Sequence, residues 1–411
     1  MREFEVHAGW LEPPVLVGKC RIDSARGKET IAFAYDESWL SKHPSFQIDP
    51  DIVSASGWQY PPSNKMCFGF LSDAAPDRWG RRLMDRREAV FAKEENRPKR
   101  KLMESDYILG VHDKGRIGGI RFFDPQKSEY LSSGQTLAAP PMEALRKLEQ
   151  ASKGFEVSTD EGSKKWLKNL LEPGSSLGGA RPKANVVDEN GNLWIAKFPS
   201  VNDETDVGAW EMVAHRLAEK CGIKVPEARS LKLSDAGTTF LTKRFDRKGE
   251  CRIHYASAMT LLGCTDGQDE QMSYPDIAGA IERFSVDPDS DLRELWERMV
   301  FNICISNTDD HLRNHGFLLN GDGWELSPAF DMNPDCDRET LSLVISKTDK
   351  KDIREAILAA GYFRISEKEA ADRAAQIRDI VDDSWRKEAK KCSIRSGEIE
   401  KMSAAFIKCE K

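Results

Sequence analysis

The pattern of apolar and polar positions changes character along this chain, and each change predicts a different kind of element. In the first stretch, FEVHAGW, PVLVGKCRI and ETIAFAYD alternate apolar and polar side chains, with Gly, Pro and Asp between them. That period-two pattern predicts strands with one face buried. FGFLSDAAPDRWGRRLMDRREAVFAK then reads as a loop feeding a helix, with Asp73 and Asp77 bracketing Pro76 near the helix start, where an acidic side chain suits the helix dipole. GRIGGIRFF returns to strand and ends at Asp124-Pro125. Residues 126–142 (QKSEYLSSGQTLAAPPM) are polar and close on Pro-Pro, the composition of a linker.

A second regime follows. MEALRKLEQASKG and SKKWLKNLLE read as helices leading to the Gly-rich run PGSSLGGARPK. ANVVDENGNLWIAKFP predicts two strands about an Asn190-Gly191 turn. GAWEMVAHRLAEKCGI is a helix closed by Gly222, and EARSLKL and TTFLTKRFD are two more strands. Beyond residue 246 the chain is mostly helical. DLRELWERMVFNICI carries Leu292, Leu295, Trp296, Met299, Val300 and Ile303 as an apolar stripe at helical spacing, which is core. Ser366 and Glu369 form a capping-box pattern ahead of another long helix. The expected organisation is α+β: a β-rich N-terminal subdomain (1–125), a linker (126–142), a small sheet with helices (143–245) and a mostly helical part (246–411).

Composition narrows the function. At 411 residues the chain can build two or three domains. A net charge of −7 argues against strong nucleic-acid binding by the chain alone. Residues 78–101 run against that average, with ten Lys/Arg against four Asp/Glu. They are a solvated helix face and loop, or a patch for nucleic acid or an acidic partner. No run approaches the roughly 18 apolar residues of a transmembrane helix, so no membrane partner is expected. The N-terminus lacks the apolar core of a signal peptide, so a cytoplasmic location is expected. Nine cysteines without C-x-x-C spacing read as reduced thiols and not as a zinc site.

The chemistry concentrates in SNTDDHLRN and SPAFDMNP, which hold Asn307, Asp309, His311, Asn314 and Asp331. An Asp followed five positions later by an Asn, with a second Asp after a hairpin, is the layout of phosphoryl transfer. Asp309 is the candidate base. Asn314 and Asp331 offer the oxygen ligands that Mg²⁺ prefers. His311 is placed to orient Asp309 or a phosphate, and Asn307 is counted with them in the catalytic cluster. A phosphate cradle is supplied by Ser175-Ser176-Leu177-Gly178-Gly179-Ala180-Arg181-Pro182-Lys183, where glycines let backbone N–H groups approach and Arg181 and Lys183 add charge. It lacks Walker A spacing, and alone it would pass as a plain turn. Lys197, in a strand among apolar neighbours, needs a partner if it faces inward: phosphates, or Glu211 on the next helix. The alternative is a strand-edge Lys in solvent. No single part is specific; the ordered set is.

With AYDESWL, FGFLSDAAPDRWGRR, GRIGGIRFF, SSLGGARPKA, LWIAKFP, SNTDDHLRNHGFLL and LSPAFDMNP together, nearly the whole chain resembles the HipA family. These are kinases that form the toxin half of bacterial toxin–antitoxin pairs. The resemblance implies an ATP- and Mg²⁺-dependent serine/threonine protein kinase with a bilobal fold and an extra N-terminal subdomain. It implies aminoacyl-tRNA synthetases as protein substrates, a small helix-turn-helix antitoxin as partner, and DNA only indirectly through that complex. It further implies autophosphorylation at Ser176, or Ser175, in the Gly-rich loop, an ATP-contacting Lys197, and a hinge at Lys243-Arg244-Phe245. Two other readings compete: a small-molecule or lipid phosphotransferase, which shares the Asp/Asn/Asp layout, and a catalytically silent module acting through an antitoxin and DNA. The N-terminal motifs weigh against the first, and an intact Asp309, Asn314, Asp331 and Lys197 against the second.

Overall fold

The computed structural model describes residues 2–25, 27–134, 139–158, 170, 179–265, 267, 272–321 and 323–406. The chain divides into two compact units, Met1–Val201 with Lys243–Ala256, and Asn202–Thr242 with Ser257–Lys411.

The first unit is built on an antiparallel sheet of β1 (Arg2–Ala8), β2 (Val15–Ala25), β3 (Lys28–Tyr35), β4 (Ile120–Asp124) and β5 (Glu129–Tyr130), in the order β3-β2-β1-β4-β5. The register sets Phe4 opposite Cys20, Cys20 opposite Phe33, and Val6 opposite Phe122. Residues directly opposite share a face, so the alternation seen in the sequence becomes one continuous apolar face, and these side chains are buried. β5 draws part of the expected linker into the sheet, pairing Tyr130 with Phe123.

Helix α1 (Arg78–Glu94) begins where Asp77 accepts a hydrogen bond from the backbone N of Gly80 at 2.8 Å. Its apolar face buries Trp79, Leu83, Met84 and Val90, and Trp79 meets Phe155 of α2 (Leu145–Val157) edge-on, centroids 5.1 Å apart. The basic stretch is largely engaged within the unit. Arg81 clamps Glu104, Arg97 clamps Glu88 and Arg100 clamps Asp106, while Arg82 and Arg86 lie over the Phe155 ring. Hydrogen bonding from Arg97 holds the Glu88 carboxyl down at about 2. This favours the reading of a solvated, internally paired face. The helix expected over SKKWLKNLLE falls outside the described residues, Leu170 excepted. A hairpin of β6 (Lys183–Val187) and β7 (Leu193–Lys197) completes the unit's main elements, its turn held by Asp188 accepting from the backbone N of Asn190 and Asn192.

In the second unit, α3 (Val207–Lys220) ends as expected: Gly222 takes φ +79°, and the N–H of Ile223 reaches back to the carbonyl of Ala218 at 3.0 Å. This is the left-handed cap that glycine adopts without steric penalty. β8 (Ala228–Ser234) and β9 (Gly237–Lys243) form a hairpin. Helices α4 (Tyr274–Phe284), α5 (Pro288–Cys304) and α6 (Glu367–Lys391) supply the bulk. Leu292, Leu295, Trp296, Met299, Val300 and Ile303 of α5 are all fully buried, as the stripe predicts. β10 (Gly316–Asn320) and β11 (Gly323–Leu326) form the expected hairpin beyond the Asn307–Asn314 loop.

Candidate active site

α5 ends at Cys304, and the chain turns through Ser306, which holds φ +51° while its hydroxyl donates to the carbonyl of Ala405. The loop that follows sorts its side chains alternately. Asp309 faces solvent, its side chain 73% exposed, and Arg338 Nη1 lies 3.4 Å from its Oδ1. Asp310, next in sequence, is buried. Its Oδ2 accepts from the Tyr274 hydroxyl at 2.5 Å, Asn302 Nδ2 at 2.9 Å and His315 Nε2 at 3.0 Å. Burial pushes that carboxyl up, but His315 and the hydrogen bonds outweigh it and hold it below its usual range.

Asn314 is buried, and its Nδ2 donates to the backbone oxygen of Asp309 at 3.0 Å. Its Oδ1 is buried with no hydrogen-bond partner, and so is His311 Nδ1. A buried amide oxygen without a partner carries a desolvation penalty of about 1–3 kcal/mol, so a ligand that reaches it gains from its being there. A hard cation suits an amide oxygen, and the donor set at this loop therefore fits Mg²⁺. Asp331 holds φ +59°, a left-handed conformation that only a surrounding structure can enforce on a non-glycine residue. Enforcement is visible on both sides. Upstream, Arg298 ties α5 to the Ser327 carbonyl at 2.7 Å, and the N–H of Ala329 bonds the carbonyl of Lys224. Downstream, the Thr308 hydroxyl donates to Asp335 at 2.6 Å and the N–H of Asn333 donates to Asn307 Oδ1 at 3.3 Å.

Asn307 is thereby corrected. It was expected in the catalytic cluster, yet it is 1% exposed, and its amide bonds Asn302 Oδ1 at 3.1 Å as well as Asn333. Its side chain joins two loops and faces no open space. Asp309, His311, Asn314 and Asp331 do come from loops that these contacts tie together.

The expected nucleotide residues belong to the first unit, apart from Glu211, which is buried on α3 in the second. Ser175, Ser176 and Gly178 lie outside the described residues. Gly179 holds φ +99°, and a Cβ there would sit 3.1 Å from Lys183 Nζ. Ala180 is exposed and Arg181 lies half-buried, its Nη2 3.5 Å from the carbonyl of Phe198. Lys197 is buried at the end of β7, directly opposite Lys183 in the hairpin register. Lys183 itself is paired with Asp77, Nζ to Oδ2 2.8 Å, with both side chains buried, and its carbonyl accepts the Trp79 indole N–H. The structure therefore gives Lys183 a structural partner where a phosphate contact was expected.

Arg244, expected at a hinge, has a buried guanidinium that clamps Asp246 and donates to the carbonyls of Gly115 and Arg116, so its side chain is held within the first unit. Lys243 and Phe245, its neighbours, are half-buried. The residues that sequence reasoning passed over are Asp310, His315, Tyr274, Asn302 and Arg338. A signal existed for two of them, since Asp310 and His315 repeat the five-residue spacing of Asp309 and Asn314, displaced by one.

Comparison with known proteins places the fold first. A chain of the Shewanella oneidensis MR-1 toxin–antitoxin system HipA, HipB and operator DNA complex superposes with a TM-score of 0.67 at 15% identity, over 98% of this chain and 95% of that one. That likeness establishes a shared mixed helix-and-sheet fold. The family follows: the HipA-like C-terminal domain description matches residues 175–388, and the chain belongs to that family. Among individual relatives, the protein named "Putative kinase Y4mE" of Sinorhizobium fredii (strain NBRC 101917 / NGR234) is 23% identical over 334 residues, 74% of this chain and 71% of that protein. "Putative kinase Y4dM" of the same strain is 26% identical over 221 residues, 49% of this chain and 53% of that protein. No described helix is long and apolar enough to cross a membrane.

Proposed function

We propose that this chain is a bilobal, ATP- and Mg²⁺-dependent kinase that transfers the γ-phosphoryl group to a serine or threonine hydroxyl of a protein. The observation that carries the reading is the loop pair around Asn307, in which an exposed Asp309 accompanies a buried Asn314 whose amide oxygen lacks a partner, beside a left-handed Asp331. In this reading Asp309 accepts the proton of the attacking hydroxyl as its oxygen bonds to phosphorus and the bond from phosphorus to the leaving oxygen of ADP breaks. Asn314 and Asp331 hold Mg²⁺, which when bound draws charge from the phosphate oxygens. Lys197, buried at the end of β7, is the proposed contact to the phosphates. Glu211 is the proposed partner of Lys197, as in protein kinases, and Gly178, Gly179, Ala180 and Arg181 form the phosphate loop.

Membership in the HipA-like family supports a place as the toxin of a toxin–antitoxin pair in the cytoplasm, with a helix-turn-helix antitoxin as partner and DNA reached only through it. The proposed target is a component of translation such as an aminoacyl-tRNA synthetase, and Ser176, with Ser175 as the alternative, is the proposed autophosphorylation site. The proposed division is an N-terminal subdomain (1–125), a linker (126–142), a nucleotide lobe (143–245) and a helical lobe (246–411). The test is incorporation of γ-labelled phosphate, together with growth on induction, for the wild type and Asp309→Ala. Loss of both in the variant supports the reading; growth arrest that survives the substitution overturns it.

A further inference from the structure

Beneath the exposed loop lies a second pair of residues with the same spacing as the first. Asp309 and Asn314 are five apart, and so are Asp310 and His315. Each member of the second pair directly follows a member of the first. Asp310 and His315 point inward and bond each other, Oδ2 to Nε2 3.0 Å, with both side chains nearly inaccessible. The backbone at 309 and at 314 is thus fixed by bonds one residue away. We propose that Asp310 and His315 are positioning residues for the phosphoryl-transfer site, a buried couple that sets the geometry of Asp309 and Asn314.

Two observations carry this. Three donors converge on one oxygen of Asp310, from Tyr274 on α4, Asn302 on α5 and His315 at the far end of the loop. Two helices and both ends of the loop therefore meet at a single atom. Asn302 also extends the couple to the Asp331 segment, because its Oδ1 accepts from Asn307, whose own oxygen accepts the N–H of Asn333. His315 Nδ1 is buried without a partner, so the ring is held in place through its Nε2 bond to Asp310.

Partners that hold metal ligands in place commonly change metal affinity or activity about 10–100-fold when replaced. The inference rests on the kinase reading, and the test separates the two. Full-length wild type, Asp310→Asn, His315→Gln and His315→Phe are assayed for phosphate transfer while Mg²⁺ is varied at saturating ATP, with rates normalised to the folded fraction from circular dichroism. Asp310→Asn should raise the KM for Mg²⁺ about 10-fold and lower kcat, since it keeps shape but offers the converging donors a weaker acceptor. His315→Gln, which keeps an N–H donor, should retain more activity than His315→Phe, and the double variant Asp310→Asn/His315→Phe should be little worse than either single. Variants that melt earlier yet show wild-type KM and kcat per folded molecule overturn the proposal. If Asp310→Asn does not fold, the contrast between His315→Gln and His315→Phe decides, and equal activities overturn it. If the wild type transfers no phosphate, the kinase reading fails by itself, and Mn²⁺ binding with ADP, followed by electron paramagnetic resonance, becomes the readout. Weaker Mn²⁺ binding in the variants then supports the couple; equal binding, or none in the wild type, overturns it.

Discussion

Lys183 Nζ lies 2.8 Å from Asp77 Oδ2, an ion pair with each side chain almost completely buried. Asp77 serves two elements at once, because its other oxygen accepts from Gly80 N at the start of α1. The pair pins the helix to the first strand of the hairpin that ends in Lys197, and the Trp79 indole adds a bond to the Lys183 carbonyl. Removing one partner of a buried pair costs roughly 3–5 kcal/mol, and loss of the cap adds about 1 kcal/mol. Asp77→Ala is therefore expected to lower the urea midpoint markedly. Lys183→Met, which removes a charge and leaves the cap, should cost less. Equal midpoints for Asp77→Ala and wild type would sink this account.

Asp309 is the opposite case. An exposed side chain with one exposed partner contributes little to folding, so Asp309→Ala should change stability by less than about 0.5 kcal/mol. Loss of a general base lowers a rate about 10²–10⁴-fold. A variant with wild-type thermal unfolding and no phosphate transfer is the expected result. A variant that unfolds early would recast Asp309 as structural.

Asp331 stores backbone strain. At φ +59° a β-carbon is disfavoured and glycine is not. Asp331→Gly is expected to be about 1 kcal/mol more stable than Asp331→Ala, while both lose Mg²⁺-dependent transfer. Denaturant titration of the two variants side by side measures the difference, and equal stability would remove strain from the explanation.

His254 sets an acid limit. It is fully buried and stacks on Trp10, ring centroids 4.6 Å apart and nearly parallel. Burial pushes its imidazole from the ordinary 6.5 down to about 3. The unfolded chain takes up this proton below pH 6.5 and the folded chain does not until about pH 3, so the folded state binds fewer protons in that window. Stability should be fully present above pH 6.5 and fall by about 1.4 kcal/mol per pH unit below it. Unfolding free energies at pH 7.5, 6 and 5 for wild type and His254→Phe check the sign, and the variant should lose this part of the slope. An unchanged slope in the variant would assign the pH dependence to other groups.

Ser176→Ala tests the proposed modification. Intact-mass spectrometry of protein incubated with ATP and Mg²⁺ should show a phosphate adduct on the wild type that the variant lacks. An adduct that persists moves the site to Ser175 or beyond the loop.

The sequence by itself determined what depends on short spacing. Period-two alternation located β1 to β3, the apolar stripe located α5, and the Ser366–Glu369 spacing located the start of α6, where the N–H of Glu369 meets the Ser366 hydroxyl. Gly222 and the Asn190-Gly191 turn marked the end of a helix and a hairpin because a left-handed residue leaves a local signature. The residue types for phosphoryl transfer were legible for the same reason, since Asp309, His311 and Asn314 lie within one loop. Only the tertiary structure decided which polar side chains are exposed and which are structural. Asp309 and Asp310 are adjacent identical residues, yet one faces solvent and the other is held by Tyr274, 36 positions earlier in the chain. Lys183 read as a phosphate ligand and Arg244 as part of a hinge, yet their side chains are held by Asp77 and by the carbonyls of Gly115 and Arg116. Burial creates that requirement: a polar group removed from water must find a partner wherever the fold supplies one, and partners more than a hundred residues away leave no trace in local spacing.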